Sequence, residues 1–568
     1  MTKSTVVKID GFVIPIIFCS AFGKIFPYNF SPYLHSGPQL FALLFLSAYL
    51  VLRLFVQIRT IQFFSFKSLK LWNIYLFGIF TLIISFLISS LSSPNVTDSF
   101  IGEPGRRLGF LTWLLIITNS YLFALNQRFS KFEVEKLFHR TFYAHIVIGL
   151  LQGLGILTFL GDKNNVGILS NEDLYSIACG AAVLISIFKL ARDSKRLLFM
   201  NLMFLALALY ELIRSQALSG VILSLTGIFY SLLWRFRKNT IRVKVLGTSI
   251  VIIGAILLFF SPYILKDPNT QIRISIWTSV WNIIVKQVNL FGFGLDSMVT
   301  GLIPRLNYEE IWTIEGLGRN QLWDNPHSSF FTVLYSGGLI GILGYTIYFS
   351  VGLYVFIKVN LSSYEYYEKN RELSFISTLW LGLFLSSLFS VGNPLLYQIE
   401  FLLGFIMVIC FTYSEVRVMK MRLYQVKVLA LIAVIVSCSF VFYNKIYVPE
   451  KSFRVFASMP KVNKSEIQKS WDEVLKNRFQ CGHALYILQN PQGYSIGQSV
   501  AFAENLISSY KECPTGELLL LVAGLNAKNN YLVDTYSGKV TEWNPDLVKL
   551  RELIDNFKNA NKVSSVKD

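Results

Sequence analysis

Five histidines occur in the chain, and one, His327, sits in "WDNPHSSFF" (323–331), where a long polar stretch meets an apolar run. A neutral imidazole at such an edge can take a proton from a hydroxyl nucleophile. Ser328 and Ser329 are placed to cap a helix starting there. A cap would set the ring near the positive end of the helix dipole and favour its neutral form. Two readings of His327 stand side by side: a proton acceptor, or a residue that only caps the helix or contacts lipid headgroups. The complementary chemistry belongs to arginines, whose planar fork matches phosphate oxygens. Arg106 and Arg107 lie in "GEPGRRLGF" (102–110), Arg214 opens "RSQALSG" (214–220), and Arg273 follows in "IRISIWTSVWNIIV" (272–285). Together they can converge on a diphosphate; singly, each can also snorkel to headgroups.

The elements that must position these residues are read from composition. Of 568 residues, 53% are hydrophobic, 15% are charged and 48 are Phe. A water-soluble fold cannot hide so much apolar surface, so an all-α polytopic membrane protein is expected. About thirteen apolar segments lie near 11–26, 38–58, 71–91, 108–125, 141–160, 173–190, 197–213, 218–234, 245–265, 328–357, 373–391, 396–413 and 426–443. The first apolar stretch runs straight into this body and lacks the form of a cleavable leader.

Charge sets the orientation. Lys and Arg cluster in alternate loops, such as Arg53–Lys70, Arg128–Arg140, Lys189–Arg196 and Arg235–Lys244. By the positive-inside rule these loops are cytoplasmic, the N-terminus is inside and the tail outside. The net charge of +18 is thereby a topology signal rather than a nucleic-acid footprint, since the tail from Lys445 onward balances 16 basic against 13 acidic residues. The same rule puts a long loop, 266–327, on the outer face. Positive charge is disfavoured there, so Arg106, Arg107, Arg214 and Arg273 call for a reason.

Within that loop, 272–285 reads as a helix along the membrane surface, and Gly292 and Gly294 in "NLFGFGLDSM" (289–298) mark a tight turn. Asp296, Glu309, Glu310, Glu315 and Asp324 show no spacing that singles out a catalytic acidic pair. No metal-binding pattern, CxxC or GxSxG elbow occurs. The polar tail carries helical patterns near 464–476, 497–511 and 546–558. Its Cys481 and Cys513 can bridge in an oxidising compartment or remain two thiols. Two domains are expected, 1–444 in the membrane and 445–568 outside it.

In order and spacing, several stretches resemble the bacterial O-antigen ligase and polysaccharide polymerase superfamily, which also includes protein O-oligosaccharyltransferases. "IGEPGRRLGF" is similar to its G-x-x-x-R-x-x-G segment, and "VGILSNEDLYSIACG" (166–180) to its G-N-x-N stretch. "RISIWTSVWNIIVKQVNLFGFGLDSM" is similar to its R-x-x-x-W…P-x-x-G-x-G pattern, and "NPHSSFFTVLYSGGLIGILGY" resembles its H-[NS]…G-x-x-G ending. Three departures stand out. "NED" (171–173) replaces the second Asn, Ser328 replaces an Asn, and Arg214 is displaced from the usual S-R-[GT].

The resemblance covers roughly 40–415. It implies a GT-C-like membrane glycosyltransferase of the bacterial inner membrane, acting at the outer face on an undecaprenyl-diphosphate-linked glycan. Arg106, Arg107, Arg214 and Arg273 would hold the diphosphate, and His327 would activate or position the acceptor hydroxyl, with inversion and without metal or other cofactor. Glycan, lipid A core or protein could be the acceptor, with membrane lipids and a chain-length regulator as further partners. A protein O-oligosaccharyltransferase is the alternative within the family, and a lipid-linked glycan transporter the alternative outside it. The transporter reading expects functional charges within the spans, where Glu400 is the main exception to their absence.

Overall fold

The computed structural model describes residues 36–57, 63–66, 69–103, 107–125, 131–156, 172–192, 195–215, 217–235, 268–298, 325–361, 370–390, 392–417, 421–449, 483–489, 495–509, 513–543 and 554–559, with the single residues 13, 14, 17, 366 and 479. The elements, in chain order, are α1 (Ser36–Gln57), β1 (Phe63–Phe66), α2 (Leu69–Ser92), α3 (Val96–Ile101), α4 (Phe110–Leu125), α5 (Lys131–Gly153), α6 (Glu172–Arg192), α7 (Lys195–Ser215) and α8 (Leu218–Arg235). After these come α9 (Pro268–Trp281), which runs into a π-helical turn at Asn282–Lys286, then α10 (Ser329–Asn360), α11 (Arg371–Ser387), α12 (Pro394–Thr412), β2 (Tyr413–Arg417) and α13 (Met421–Phe442). The strands β1 and β2 form one antiparallel ladder, Phe63 facing Arg417, between two loops of the basic set.

The architecture is that of an all-α polytopic membrane protein. Among the described residues, five helices are long and apolar enough to cross a bilayer by length and composition, at Lys70–Ser92, Asp173–Leu190, Leu198–Ser215, Ser329–Asn360 and Pro394–Thr412. Shorter apolar helices at Ala42–Arg53, Phe110–Ala124, Leu218–Ser231 and Ile432–Tyr447 fall in further expected segments. The expected segment 245–265 and most of 11–26 lie outside the described residues. Large apolar side chains turn outward, as with Phe80, Phe199 and Ile213, the last two more than 75% exposed. Polar side chains instead meet inside: Asn119 joins Ser47, the Leu43 carbonyl and Gln398, and Gln398 reaches Ser120. In lipid, where apolar burial gives helices little reason to associate, such bonds and close packing hold them together.

One expected span has a different form. The apolar run 328–357 does not make a straight helix, because α10 breaks at Gly338 (φ 61, ψ −156). A straight helix rising about 1.5 Å per residue would hold positions 329 and 345 about 24 Å apart. Here the Tyr345 hydroxyl lies 3.1 Å from Ser329 Oγ, so the short arm 329–337 folds back along the long arm 339–360. Nothing in the periodicity of an apolar run reports such a reversal; the Gly pair 337–338 is its local sign.

The break is sealed by backbone from the 289–293 loop. Tyr335 O accepts the Phe293 N–H (3.1 Å), while Leu339 and Ile340 donate to Asn289 O (3.1 Å) and Leu290 O (3.0 Å). Asn289 Oδ1 accepts the Phe291 and Gly292 N–H groups and so shapes the loop for this fit. Gly292 and Gly338 meet there, and a Cβ on Gly338 would lie 2.5 Å from Gly292 N. The two glycines of 292–294 therefore do more than make a tight turn. Helix α9 packs through Ile276 and Val280 against Leu334 and Tyr335 of the short arm, rather than standing alone on a membrane surface.

In the tail, α14 (Ala484–Gln489), α15 (Ile496–Ser509), α16 (Pro514–Ala527) and α17 (Asn530–Trp543) gather around Phe479, Phe502, Leu506 and Leu520. Cys513, just before α16, is disulfide-bonded; Cys481 lies outside the described residues.

Substituting Gly338→Ala should lower the thermal stability of the purified protein. The left-handed backbone alone costs a non-glycine residue about 1–3 kcal/mol, before the clash with Gly292. An unchanged unfolding midpoint in detergent would contradict the hairpin.

Candidate active site

The site starts from α9. Arg273 and Trp277 are four residues apart and share one helix face. The Trp277 indole N–H donates to Pro326 O at 2.7 Å, which pins the residue before His327. Its ring stacks on Phe331 (5.2 Å, 9° between planes) and meets the edge of Phe389 (6.3 Å). Arg273 reaches the same turn, its Nη1 donating to Phe389 O at 3.3 Å. Trp277 thus ties Arg273 and the His327 turn into one unit.

His327 is partly exposed and takes a left-handed backbone (φ 54), and its N–H donates to Asn325 Oδ1 at 2.8 Å. The expected serine capping does not occur. Ser328 occupies the N-cap position with extended backbone but makes no side-chain cap. Ser329 Oγ turns instead to Ser387 (3.0 Å) and Tyr345. The physical reason is the hairpin, which buries Ser329 against the end of α11, where a neighbouring hydroxyl is closer to hand than the helix's own amides. These serines fix where the helix starts relative to the bundle, and the capping argument for a neutral imidazole falls away.

The arginines separate into distinct settings. Arg273 Nη2 pairs with Asp173 Oδ2 at 3.4 Å, and Asp173 sits in the first turn of α6. The Asp173 backbone carbonyl accepts the hydroxyls of Ser176 (2.7 Å) and Ser219 (3.1 Å), which docks the "LSG" start of α8 onto this turn. Two residues on, Tyr175 donates to Glu211 Oε2 (2.8 Å), and the same oxygen pairs with Arg214 at 3.0 Å. Arg214 also donates to Gly149 O, in a notch of α5 that a side chain at Gly153 would fill. One turn of α6 therefore borders both arginine clusters.

Arg107 is only 1% exposed and its Nη1 donates to Gly102 O (2.8 Å), bracing its own loop. Arg106 lies outside the described residues. That loop still borders the His327 turn. The Leu108 N–H donates to Asp296 Oδ2 (3.0 Å), and Leu108, Asp296, Asn325, Pro326, Thr332 and Tyr335 line one small cleft. The structure thus links Arg273 to the His327 turn through Trp277 and Phe389, sets Arg214 in a neighbouring pair, and buries Arg107 against the Gly102 carbonyl. Glu309, Glu310, Glu315 and Asp324 lie outside the described residues.

Among the described residues no group of three or more His, Cys, Asp or Glu is arranged to hold a metal ion. Glu400, the acidic residue expected near the start of a span, is fully buried in α12, where the Tyr348 hydroxyl lies 3.5 Å from its backbone carbonyl. Sequence reasoning gave no role to Trp277, Asp173 or Asn325. For Trp277 the signal was present, since its spacing from Arg273 puts both on one face. The Asp173 contact with Arg273 joins distant segments and leaves no local mark, whereas the Asn325 bond to the His327 N–H spans only two residues.

No curated protein matches the chain. The family described as O-Antigen ligase matches residues 202–346, a stretch holding Arg214, Arg273, Trp277 and His327, and this match supports the chain's membership of the O-antigen ligase-like family.

Proposed function

We propose that this protein transfers or polymerises an undecaprenyl-diphosphate-linked oligosaccharide at the outer face of the bacterial inner membrane. The family match supports the coarser statement, a membrane glycan transfer of the ligase or polymerase type. The observation that carries the finer reading is the Trp277 bridge: the indole donates to the Pro326 carbonyl beside His327 and meets Phe389, whose carbonyl accepts from Arg273. Arg273 would bind the diphosphate of the donor, with Arg214 in the neighbouring ion pair and Arg106 as a further cation, while the buried Arg107 braces the Gly102 carbonyl. His327 would take the proton of an acceptor hydroxyl as its oxygen attacks the anomeric carbon from the face opposite the diphosphate. The C–O bond to the diphosphate breaks, the configuration inverts, and the polyprenyl diphosphate leaves with its charge held by guanidinium. In this reading residues 1–444 carry the transfer, and 445–568 form an outer domain that meets the acceptor or a chain-length partner.

A pure transporter would move the lipid-linked glycan without breaking that bond. Purified protein incubated with donor and acceptor, with no gradient, should yield glycan on the acceptor; its absence under conditions where donor binds would sink the reading. Gels of surface glycan from a deletion strain separate the two modes, loss of long chains alone indicating a polymerase and loss of all capping a ligase.

His327→Ala should reduce transfer by about 10²–10⁴-fold, the range for a lost general base, while donor binding persists. Full activity would remove His327 from the mechanism. Trp277→Phe keeps the ring stack but loses the indole N–H, so transfer should fall about three- to tenfold, the scale of one hydrogen bond. An unaltered rate would mean that the Pro326 contact does not position His327.

A further inference from the structure

The two ion pairs beside α6 differ in a way that bears on which anions the site admits. Arg214 is closed: its partner Glu211 is fully buried and shares the same oxygen with the Tyr175 hydroxyl. Arg273 is open. Its contact with Asp173 is single-pronged and long at 3.4 Å, and the side chains keep 23% and 15% exposure. A charge-assisted pair of good geometry is shorter and often two-pronged. The two guanidinium groups are alike in exposure, 19% and 23%, and the pairs differ in the carboxylate: Glu211 is fully buried at 3.0 Å, whereas Asp173 keeps 15% exposure at 3.4 Å. The Asp173 backbone carbonyl is held by the Ser176 and Ser219 hydroxyls, which anchors the first turn of α6 beside Arg273.

We propose that Asp173 is a specificity-determining counter-ion: it occupies Arg273 loosely, so that a lipid diphosphate displaces it and a singly charged lipid phosphate does not. The argument rests on the proposed role of Arg273 in holding the donor. Any cation facing the membrane interface meets anionic phospholipid headgroups in vast excess over the donor, each with one net negative charge and no balancing ammonium. A bare Arg273 would bind them. With Asp173 in place the pair is neutral, and an incoming phosphodiester only exchanges one monoanion for another. A diphosphate brings more charge and more oxygens, enough to take Nη2 from the carboxylate.

The test uses the full-length protein in nanodiscs of phosphatidylcholine, with or without phosphatidylglycerol, and farnesyl diphosphate as the probe. Wild type should bind the probe with similar affinity in both lipids. Asp173→Asn should bind it about two- to fivefold more tightly in phosphatidylcholine, the scale of a partly exposed ion pair, and lose that gain when phosphatidylglycerol is added. Asp173→Glu should behave as wild type, and Asp173→Ser replaces Asp173→Asn should the latter fail to fold. If removing the carboxylate leaves affinity unchanged or weaker in phosphatidylcholine, or leaves binding insensitive to phosphatidylglycerol, the counter-ion role is overturned. Arg273→Gln separates the two levels of the argument. If it weakens binding while Asp173→Asn does nothing, only the role of Asp173 fails. If Arg273→Gln itself leaves binding intact, the diphosphate role of Arg273 fails.

Discussion

The backbone break at Gly338 is the constraint on which the rest of the site depends. A helix interrupted inside an apolar bundle exposes N–H and C=O groups that lipid cannot satisfy. Here the 289–294 loop supplies their partners, and the two glycines allow the approach. With the break stabilised, the short arm turns back along the long arm, and Ser329 comes to rest between Tyr345 and Ser387. His327 is thereby fixed over the end of α11. The next turn beyond that helix presents the Phe389 carbonyl to Arg273. One local reversal, closed by three main-chain hydrogen bonds, therefore brings the outer loop, α9 and α11 to a single place.

Electrostatics completes what the backbone begins. The described arginines near the site have assigned partners rather than open solvent: Arg107 braces a loop carbonyl, Arg214 is held by Glu211, and Arg273 shares Asp173. Packing cations at the rim of an apolar bundle requires such partners, since an uncompensated charge there is costly. The partners differ in burial and distance, Glu211 fully buried at 3.0 Å from Arg214 and Asp173 part-exposed at 3.4 Å from Arg273.

Much of this was legible in the sequence, for identifiable reasons. Apolar composition and alternating basic loops expose the membrane class, because the bilayer imposes both. The ordered motifs single out Arg273 and His327, and four-residue spacing brings Trp277 onto the face of Arg273. The hairpin was hidden because 328–357 is apolar throughout, and a run of that kind reads the same whether straight or folded back. The serine cap failed for a related reason: local capping rules assume that the helix start faces solvent, whereas Ser329 is buried against Ser387. Arg107 illustrates the limit of counting charges, which locates a residue on a loop but not the direction of its side chain.

The central claim is that Arg273 and His327 act on one lipid diphosphate across the Trp277 bridge. Its most direct test is a cryo-EM structure of the protein with a non-transferable lipid-diphosphate-linked sugar. The account predicts the diphosphate within hydrogen-bond reach of the Arg273 guanidinium, with the anomeric carbon on the His327 side of Trp277 and the Asp173 contact released. A diphosphate bound elsewhere, with Arg273 still on Asp173 and His327 facing no substrate, would contradict it.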